Sequence, residues 1–286
     1  MRILVTGVGG LLGRRVMAEL TGRGHAAQGV THSVLDITNF ESVRRLVGEV
    51  APDLVIHCAA MTHVNRCAEQ PDEALLVNGY GTQNVALACH QYGAALAYVS
   101  SNEVFDGERG LPYLEYDQTH PINPYGYSKW VGEQAVRDLL PRHYVIRTSW
   151  LFAHGGDNFL HQLVKVATRG ESISVVTNEV AVPTYVDDLA VALVRLIETG
   201  RYGIYHLVND GSANRYQFAR HLLDCAGFVG IPITPIIVAQ RPRPSHPPTY
   251  SVLRNFAAAQ LGITLRPWQE AVSAFFARER AQVPLP

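Results

Sequence analysis

The sequence predicts an α/β fold in which a doubly wound parallel sheet carries a smaller C-terminal cap. Three observations predict it. Short apolar segments alternate with helical patterns through the first half of the chain, a glycine-rich turn follows the first apolar segment, and the alternation loosens from Asp157 onward. A chain of 286 residues with 47% hydrophobic content is long enough to bury a sizeable core.

Apolar periodicity predicts each element in turn. Strands are predicted at residues 4–6, 26–30, 53–58, 94–101 and 143–148, and helices at a segment ending at Leu20 and at residues 40–50, 71–90 and 124–140. The proline-rich run 241–248 predicts a long loop before two short final helices. We therefore divide the chain into residues 1–156 with about 183–209, which carry the sheet, and residues 157–182 with 210–286, which form the cap.

The glycine-rich turn has the spacing Gly7-x-x-Gly10-x-x-Gly13 and joins the first strand to the first helix. Gly7 allows a tight turn, Gly10 lets the backbone approach a pyrophosphate, and Gly13 lets the helix pack close to the strand. The phosphates are expected over the N-terminus of the helix. The motif predicts a Rossmann domain that binds a dinucleotide.

Tyr125 and Lys129 are four residues apart, just inside a helix start predicted at Asn123-Pro124. They share one helical face, because four residues make about one turn. A free phenol loses its proton near pH ~10, so we expect the ammonium of Lys129 and the positive helix end to lower the pKa of Tyr125. This spacing is typical of a proton donor with a tuning lysine, and an ordinary amphipathic helix is the alternative.

Ser101 ends an apolar strand, so its hydroxyl is expected at the carboxyl edge of the sheet, where ligands bind. There it would bind a substrate carbonyl beside Tyr125, while Lys129 binds the nicotinamide ribose. The alternative is a serine that only caps a turn. Ser101, Tyr125 and Lys129 are therefore the predicted catalytic residues.

Composition excludes several other classes of function. A formal net charge of −1 and the lack of a basic stripe argue against nucleic acid as a partner. The cysteines form no C-x-x-C pair and no apolar run is long enough for a membrane span, so we expect a cytoplasmic protein. His57, Cys58, His63 and Cys67 match no familiar zinc spacing; we predict a core role for His57 and no metal site.

With these motifs in order, the chain resembles the extended short-chain dehydrogenase/reductase family, and within it the dTDP-4-dehydrorhamnose reductases. The resemblance covers nearly the whole chain; its further motifs are Asp36-Ile37-Thr38, Cys58-Ala59-Ala60-Met61-Thr62, Val77-Asn78, Val104-Phe105-Asp106-Gly107, Arg147-Thr148-Ser149-Trp150, Asn158-Phe159, Pro183-Thr184-Tyr185 and Arg241-Pro242. It implies reduction of the 4-keto group of a nucleotide-linked 6-deoxysugar, from dTDP-4-dehydro-L-rhamnose to dTDP-L-rhamnose, for polysaccharide biosynthesis. A substrate-binding cap and a possible homodimer belong to the same expectation.

The resemblance also implies a role for each matching position. The cofactor-binding residues would be Gly7, Gly10, Leu11, Leu12, Gly13, Asp36, Ile37, Ala60, Met61, Thr62, Tyr125 and Lys129. The substrate-binding residues would be Ser101, Asn102, Glu103, Trp150 and Arg241. Arg241 suits the pyrophosphate because a guanidinium is planar, and a core tryptophan is the alternative for Trp150.

The choice of cofactor follows from the end of the second strand. An acid there usually selects NAD, and residues 26–35 contain none. Arg14, Arg15 and His32 are available to face a 2′-phosphate. We therefore expect NADPH, with NADH as a possible second cofactor.

Departures from the family pattern leave two alternatives open. The family usually has Thr-Asp-Tyr where this chain has Ser101-Asn102-Glu103, so the identity of the sugar stays open. Related 4,6-dehydratases and epimerases form one alternative, since the dehydratases carry an Asp-Glu pair here; the amide of Asn102, however, is no proton donor for a leaving hydroxyl. The other is a non-catalytic, cofactor-binding regulatory subunit of the methionine adenosyltransferase type, which Ser100-Ser101-Asn102 also resembles.

Overall fold

The computed structural model describes residues 1–155, 159–240 and 242–282; the predicted pyrophosphate residue Arg241 lies outside them. The strands are β1 Arg2–Thr6, β2 Ala26–Val30, β3 Leu54–His57, β4 Ala95–Ser101, β5 His143–Thr148, β6 Leu151–Phe152, β7 Ile173–Val176, β8 Val180–Ala181, β9 Thr184–Tyr185, β10 Gly203–His206, β11 Ala213–Asn214 and β12 Ile233–Ile236.

The helices are α1 Leu11–Gly22, α2 Phe40–Val50, α3 Val64–Glu69, α4 Pro71–Ala74, α5 Gly81–Tyr92, α6 Pro124–Leu139, α7 Phe159–Thr168, α8 Val186–Glu198, α9 Arg215–Cys225, α10 Phe256–Gln260 and α11 Trp268–Gln282. A π-helix, Leu75–Tyr80, joins α4 to α5, and short 3₁₀ helices cover Asn102–Val104 and Val238–Gln240. Within the described ranges, no helix combines the length and apolarity that crossing a membrane requires.

Six parallel strands form the main sheet, in the order β10-β5-β4-β3-β1-β2. The chain leaves β1 for β2 on one side and later returns to β3 on the other. A crevice opens at the carboxyl ends of the strands where the winding reverses in this way. The predicted doubly wound parallel sheet is confirmed.

Helices cover both faces of this sheet. On one face, Val16 of α1 and Leu193 of α8 belong to the same buried cluster as Ile3 of β1. On the other face, α2, α5 and α6 contribute residues such as Val85 to a cluster that includes Leu4. Because both faces are covered, the strands are nearly continuous apolar runs, as expected of a parallel sheet.

A third buried cluster lies in the cap, where α7, α9 and α11 pack with β7 and β12 around aromatic residues such as Phe218 and Phe275. The prediction of two short final helices is wrong for α11, which has 15 residues and packs along this cluster. Ala258 and Ile263, in contrast, pack with the main sheet. We propose the predicted domain boundaries with one adjustment, which assigns residues 256–265 to the sheet domain.

Candidate active site

A cleft of about 820 Å³ lies at the carboxyl edge of the sheet, between the sheet and the cap. It brings together residues that are far apart in the sequence. Every predicted site residue within the described ranges lines it: Gly7, Gly10, Leu11, Leu12, Gly13, Asp36, Ile37, Ala60, Met61, Thr62, Ser101, Asn102, Glu103, Tyr125, Lys129 and Trp150. Arg241 is the exception, because it falls outside the described residues.

The glycine turn forms one end of the cleft. Gly7 has a φ of 73°, and a Cβ there would lie 2.6 Å from the backbone nitrogen of Ala59, so only glycine fits. A Cβ on Gly13 would overlap the carbonyl oxygen of Gly7. Gly10 precedes α1, and among the described residues no side chain caps its N-terminus. The free amides and the close backbone approach fit a dinucleotide pyrophosphate.

The next part of the cleft follows β2 and contains Asp36. The amide and hydroxyl of Thr38 donate to Asp36 Oδ1 at 2.9 and 2.8 Å, and these bonds lower the pKa of the carboxyl. Asn84 donates to the carbonyls of Ile37 and Thr38 at 3.0 and 3.1 Å. This loop is therefore held firmly before any ligand binds.

Two of the arginines expected at a 2′-phosphate lie elsewhere. Arg15 forms an ion pair with Asp187 at 2.6 Å, and Arg14 donates to the carbonyl of Gly155 at 3.4 Å. Neither lines the cleft, whereas His32 and its neighbour Thr31 do. The expectation was wrong for Arg14 and Arg15 because acceptors from other elements hold their side chains.

The loop after β3 is held by a fully buried residue of the π-helix, Asn78. Its Oδ1 accepts a hydrogen bond from the amide of Met61 at 2.8 Å, and its Nδ2 donates to the carbonyl of Met61 and to Ser128 Oγ, both at 2.9 Å. Ser128 in turn donates to the carbonyl of Tyr125 at 2.8 Å. Asn78 thus connects the cleft loop to α6. The sequence contained it only as part of a family motif, without a role.

The predicted catalytic residues converge in the middle of the cleft. Asn123 caps α6 as predicted, accepting from the amide of Gly126 at 2.8 Å, which places Tyr125 in the first turn. A hydrogen bond joins the hydroxyls of Ser101 and Tyr125. Lys129 is 3% exposed, and its Nζ lies 4.3 Å from the ring centroid of Tyr98.

The pKa values in this group differ from the expectation. Burial raises the pKa of Tyr125 well above its ordinary value, and the nearby carboxylate of Glu103 raises it further. Burial also lowers the pKa of Lys129 to about 8. The predicted lowering of the Tyr125 pKa is wrong because desolvation of the phenolate outweighs the hydrogen bond from Ser101.

A buried ion pair supports Lys129 from below. Glu133, one turn further along α6, accepts from Ser100 Oγ at 2.5 Å and from Arg147 Nε and Nη2 at 2.9 and 2.7 Å. Both partners of the pair are almost completely buried. The charge of Glu133 raises the pKa of Lys129, against the larger effect of burial. The sequence analysis missed Glu133, although its spacing of four residues from Lys129 was a usable signal.

Charged residues from the cap face the same cleft. Burial raises the pKa of Glu103, although Asn123 Nδ2 donates to its Oε2 at 2.8 Å and Arg215 and Arg243 lie near enough to lower that pKa. Arg215 lines the cleft at the start of α9, and burial lowers its pKa to about 10. The sequence gave no signal for Arg215, because only tertiary packing brings α9 to the sheet edge.

Trp150 forms part of the cleft wall beneath Arg215. The guanidinium carbon of Arg215 lies 3.5 Å from the centroid of the Trp150 ring. Trp150 is half-buried and lines the cleft, so it is not a residue of the closed core. Its φ of 39° is a strained conformation for a bulky residue, and strain of this kind collects at functional sites.

His57 is a core residue, as predicted. It is 1% exposed, its Nδ1 lies 2.7 Å from Thr6 Oγ1, and its Nε2 lies 3.2 Å from Thr82 Oγ1. Burial lowers its pKa to about 3, so the ring is neutral. Among the residues that the structure describes, no three histidine, cysteine or acidic side chains are grouped as metal ligands.

The family follows from comparison with known proteins. A family model described as the RmlD substrate binding domain matches residues 1–281. The chain belongs to this family. The predicted membership among the reductases of the extended short-chain dehydrogenase/reductase family is thereby confirmed.

Several members of the RmlD family are similar to the chain over nearly its whole length. It is 38% identical over 275 residues to the dTDP-4-dehydrorhamnose reductase of Mycolicibacterium smegmatis, covering 95% of this chain and 84% of that protein. It is 36% identical to the dTDP-4-keto-6-deoxy-D-glucose reductase of Streptomyces niveus, with 96% of each chain covered. The crystal structure of the dTDP-4-dehydrorhamnose reductase of Bacillus anthracis in complex with NADP matches with a TM-score of 0.93 at 35% identity, covering 97% of this chain and 99% of that one.

Proposed function

We propose that this chain is a reductase of the 4-keto group of a dTDP-linked 6-deoxysugar, with dTDP-4-dehydro-L-rhamnose as its substrate. NADPH is the expected reductant and NADH a second one. The observation that carries the proposal is the meeting of Ser101, Tyr125 and Lys129 in one cleft with the glycine turn. Relatives named as dTDP-sugar reductases, and a similar structure that contains NADP, support the same function.

The chemistry assigns one task to each of the three residues. The bound reduced nicotinamide supplies a hydride. The Tyr125 phenol donates its proton to the carbonyl oxygen of C4 as negative charge develops there. Ser101, hydrogen-bonded to Tyr125, holds the same oxygen, and the ammonium of Lys129 binds the cofactor ribose and stabilises negative charge nearby.

The cap arginines are our candidates for the diphosphate of the substrate. Arg215 lines the cleft, and Arg243 lies close enough to Glu103 to interact with its charge. Both arginines are also near the buried carboxylate of Glu179: Arg215 Nε lies 3.9 Å from Glu179 Oε2, and Arg243 forms an ion pair with it. We propose that they bind the diphosphate together with Arg241, since guanidinium groups pair well with phosphate.

Glu103 and Asn102 are our candidates for recognition of the sugar. Asn102 Nδ2 donates to Ser251 Oγ at 2.7 Å, which leaves the amide engaged with the loop before α10. An amide in this position supplies no proton for dehydration, so the dehydratase alternative lacks its acid. The named relatives are reductases, which also speaks against the non-catalytic alternative.

The location and the oligomeric state are parts of the same proposal. None of the cysteines, all within the described ranges, forms a disulfide, which supports a cytoplasmic location. The possible homodimer stays a prediction. Light scattering of the purified protein during size-exclusion chromatography tests it.

The decisive experiment supplies dTDP-4-keto-6-deoxysugars with NADPH or NADH and identifies the product by NMR. We expect oxidation of NADPH and a dTDP-6-deoxyhexose with a new C4 hydroxyl. The Tyr125→Phe variant should bind NADPH normally but lose turnover by at least roughly 10³-fold, because the proton donor is gone. Tyr127→Phe, an exposed tyrosine of the same helix, is the matched control. Near-normal turnover by Tyr125→Phe rules out the proposed mechanism.

A further inference from the structure

Thr148, the last residue of β5, has a buried hydroxyl with no partner. The side chain is 5% exposed, and no group among the described residues hydrogen-bonds its Oγ1. Leaving a buried hydroxyl unpaired costs about 1–3 kcal/mol. Thr148 also lines the cleft. A ligand group in the cleft is therefore the natural partner of this hydroxyl.

The register of the sheet places Thr148 beside Ser101. The two residues are paired neighbours on the parallel strands β5 and β4, so their side chains leave the sheet on the same face. The neighbouring Arg147 points to the opposite face, where it bonds Glu133. Thr148 therefore lies next to the proposed catalytic centre, on the face that carries α1 and α8.

The depth of Thr148 distinguishes between the two ligands. The floor of the cleft consists of strand-end residues such as Thr6, Cys58 and Val99, whereas Trp150 and Arg215 form the side toward the cap. A dinucleotide lies across the strand ends in a sheet of this kind, and the sugar nucleotide enters from the cap. A hydroxyl on the floor thus faces the cofactor.

We propose that the Thr148 hydroxyl binds the carboxamide of the nicotinamide ring. The carboxamide is the polar group of that ring, and a threonine hydroxyl can donate to its oxygen or accept from its nitrogen. One such bond fixes which face of the ring is turned toward Ser101 and Tyr125. Thr148 is then a cofactor-binding residue that orients the hydride. The inference rests on the proposed function, because it takes NADPH as the ligand.

Binding measurements test this without relying on turnover. Thr148→Val keeps the shape of the side chain and removes the hydroxyl, and Thr148→Ser keeps the hydroxyl. The Kd of NADPH is measured by quenching of protein fluorescence, and that of 2′-phospho-ADP-ribose, which has no nicotinamide, by calorimetry. We expect Thr148→Val to weaken NADPH about five- to tenfold, with 2′-phospho-ADP-ribose unchanged and Thr148→Ser near wild type.

Thr184→Val is the matched control. Thr184 is fully buried, and its hydroxyl donates to the carbonyl of Val182 at 3.3 Å, so its loss should leave both Kd values unchanged. Equal weakening of both ligands by Thr148→Val would show a structural role and overturn the proposal. So would an unchanged Kd of NADPH with a raised KM for the sugar nucleotide. Failure of the wild-type protein to bind NADPH contradicts the proposed function itself.

Discussion

At the scale of single residues, burial decides the protonation of the proposed catalytic pair. It raises the pKa of Tyr125, so the phenol keeps its proton at neutral pH, which is the form that a reductase needs as a donor. It lowers the pKa of Lys129 to about 8, so this ammonium is close to losing its charge in the working range. Lys129 therefore sets the sensitivity of the site to pH.

We predict that kcat/KM of the wild-type protein falls as pH rises through about 8. The reason is that deprotonation removes the positive charge of Lys129, on which ribose binding and charge stabilisation depend. In Lys129→Arg the activity is lower, but this fall should disappear, since a guanidinium stays charged to pH ~12. The check is a pH–rate profile of both proteins. A fall that persists unchanged in Lys129→Arg would assign it to another group.

The same burial predicts an effect of Lys129 on stability. Its pKa drops from 10.5 unfolded to about 8 folded, so the buried ammonium costs about 3 kcal/mol below pH 8. The cost disappears between pH 8 and pH 10.5, because the folded state gives up its proton first. We expect Lys129→Met to raise the free energy of unfolding by about 1–3 kcal/mol at pH 7 while activity is lost.

Thermal and urea unfolding at pH 7 and pH 10 measure this difference. Lys165→Met, a change of an exposed lysine on α7, is the control and should alter stability little. A Lys129→Met protein that is less stable than wild type at pH 7 contradicts the prediction. Such a result would mean that the pairing of Lys129 with Glu133 outweighs its desolvation.

At the scale of elements, α6 and the π-helix act as one support for the cleft. α6 carries Tyr125, Lys129 and Glu133 on successive turns, and the π-helix places Asn78 against Ser128 between the first two. π-helical turns are rare and are frequent at functional sites. Here the wider turn coincides with an asparagine that holds both polar backbone atoms of Met61.

We predict that Asn78→Ala lowers the free energy of unfolding by about 1–3 kcal/mol, because it leaves buried polar groups of Met61 and Ser128 without partners. It should also weaken NADPH binding, since the loop 60–62 lines the cleft. Asn78→Asp keeps the acceptor for the Met61 amide and loses both donors, so its effects should be smaller for this loop. Urea unfolding and NADPH titration measure the two effects. A loss of stability with an unchanged Kd would separate Asn78 from cofactor binding.

At the scale of the whole molecule, a polar network joins the end of the chain to the cofactor helix. His154 Nδ1 lies 2.6 Å from Glu279 Oε1 of α11, and its Nε2 lies 2.8 Å from the hydroxyl of Tyr185. Tyr185 donates to Asp187 Oδ2 at 3.0 Å.

Asp187, at the start of α8, is the centre of this network. It pairs with Arg15 of α1 at 2.6 Å and with Arg278 of α11. The network thus connects the cap, through α11, to the helix that begins at the glycine turn. We expect it to limit the movement of the cap relative to the sheet.

We predict that Asp187→Asn lowers the free energy of unfolding by about 1–2 kcal/mol, because two arginines lose a partly buried partner. The KM for the sugar nucleotide should rise as the cap loosens. Glu41→Gln, which removes an exposed pair with Arg44, is the control and should cost at most about 0.5 kcal/mol. Equal effects of the two variants would show that Asp187 is an ordinary surface acid.

The fold was predictable because its signals are local. Apolar periodicity, the glycine spacing and the Asn123-Pro124 helix start depend on neighbours within one or two turns, and each gave nearly the correct bounds. The order and parallel pairing of the strands follow from alternation with helices. The errors occurred where distant contacts decide the outcome: α11 is long because it packs on the cap cluster, and Arg14 and Arg15 face acceptors from other elements.

The sequence by itself determined the reacting groups of this protein, since the tyrosine, lysine and serine and the glycine turn are fixed by spacing and by strand ends. Only the tertiary structure decided their electrostatics and their neighbours. Burial, which raises the pKa of Tyr125 and lowers that of Lys129, depends on how the cap covers the sheet edge. Arg215, Asn78 and Thr148 reach the cleft from separate elements. Desolvation and long-range contact are properties of the folded chain, and no local pattern contains them.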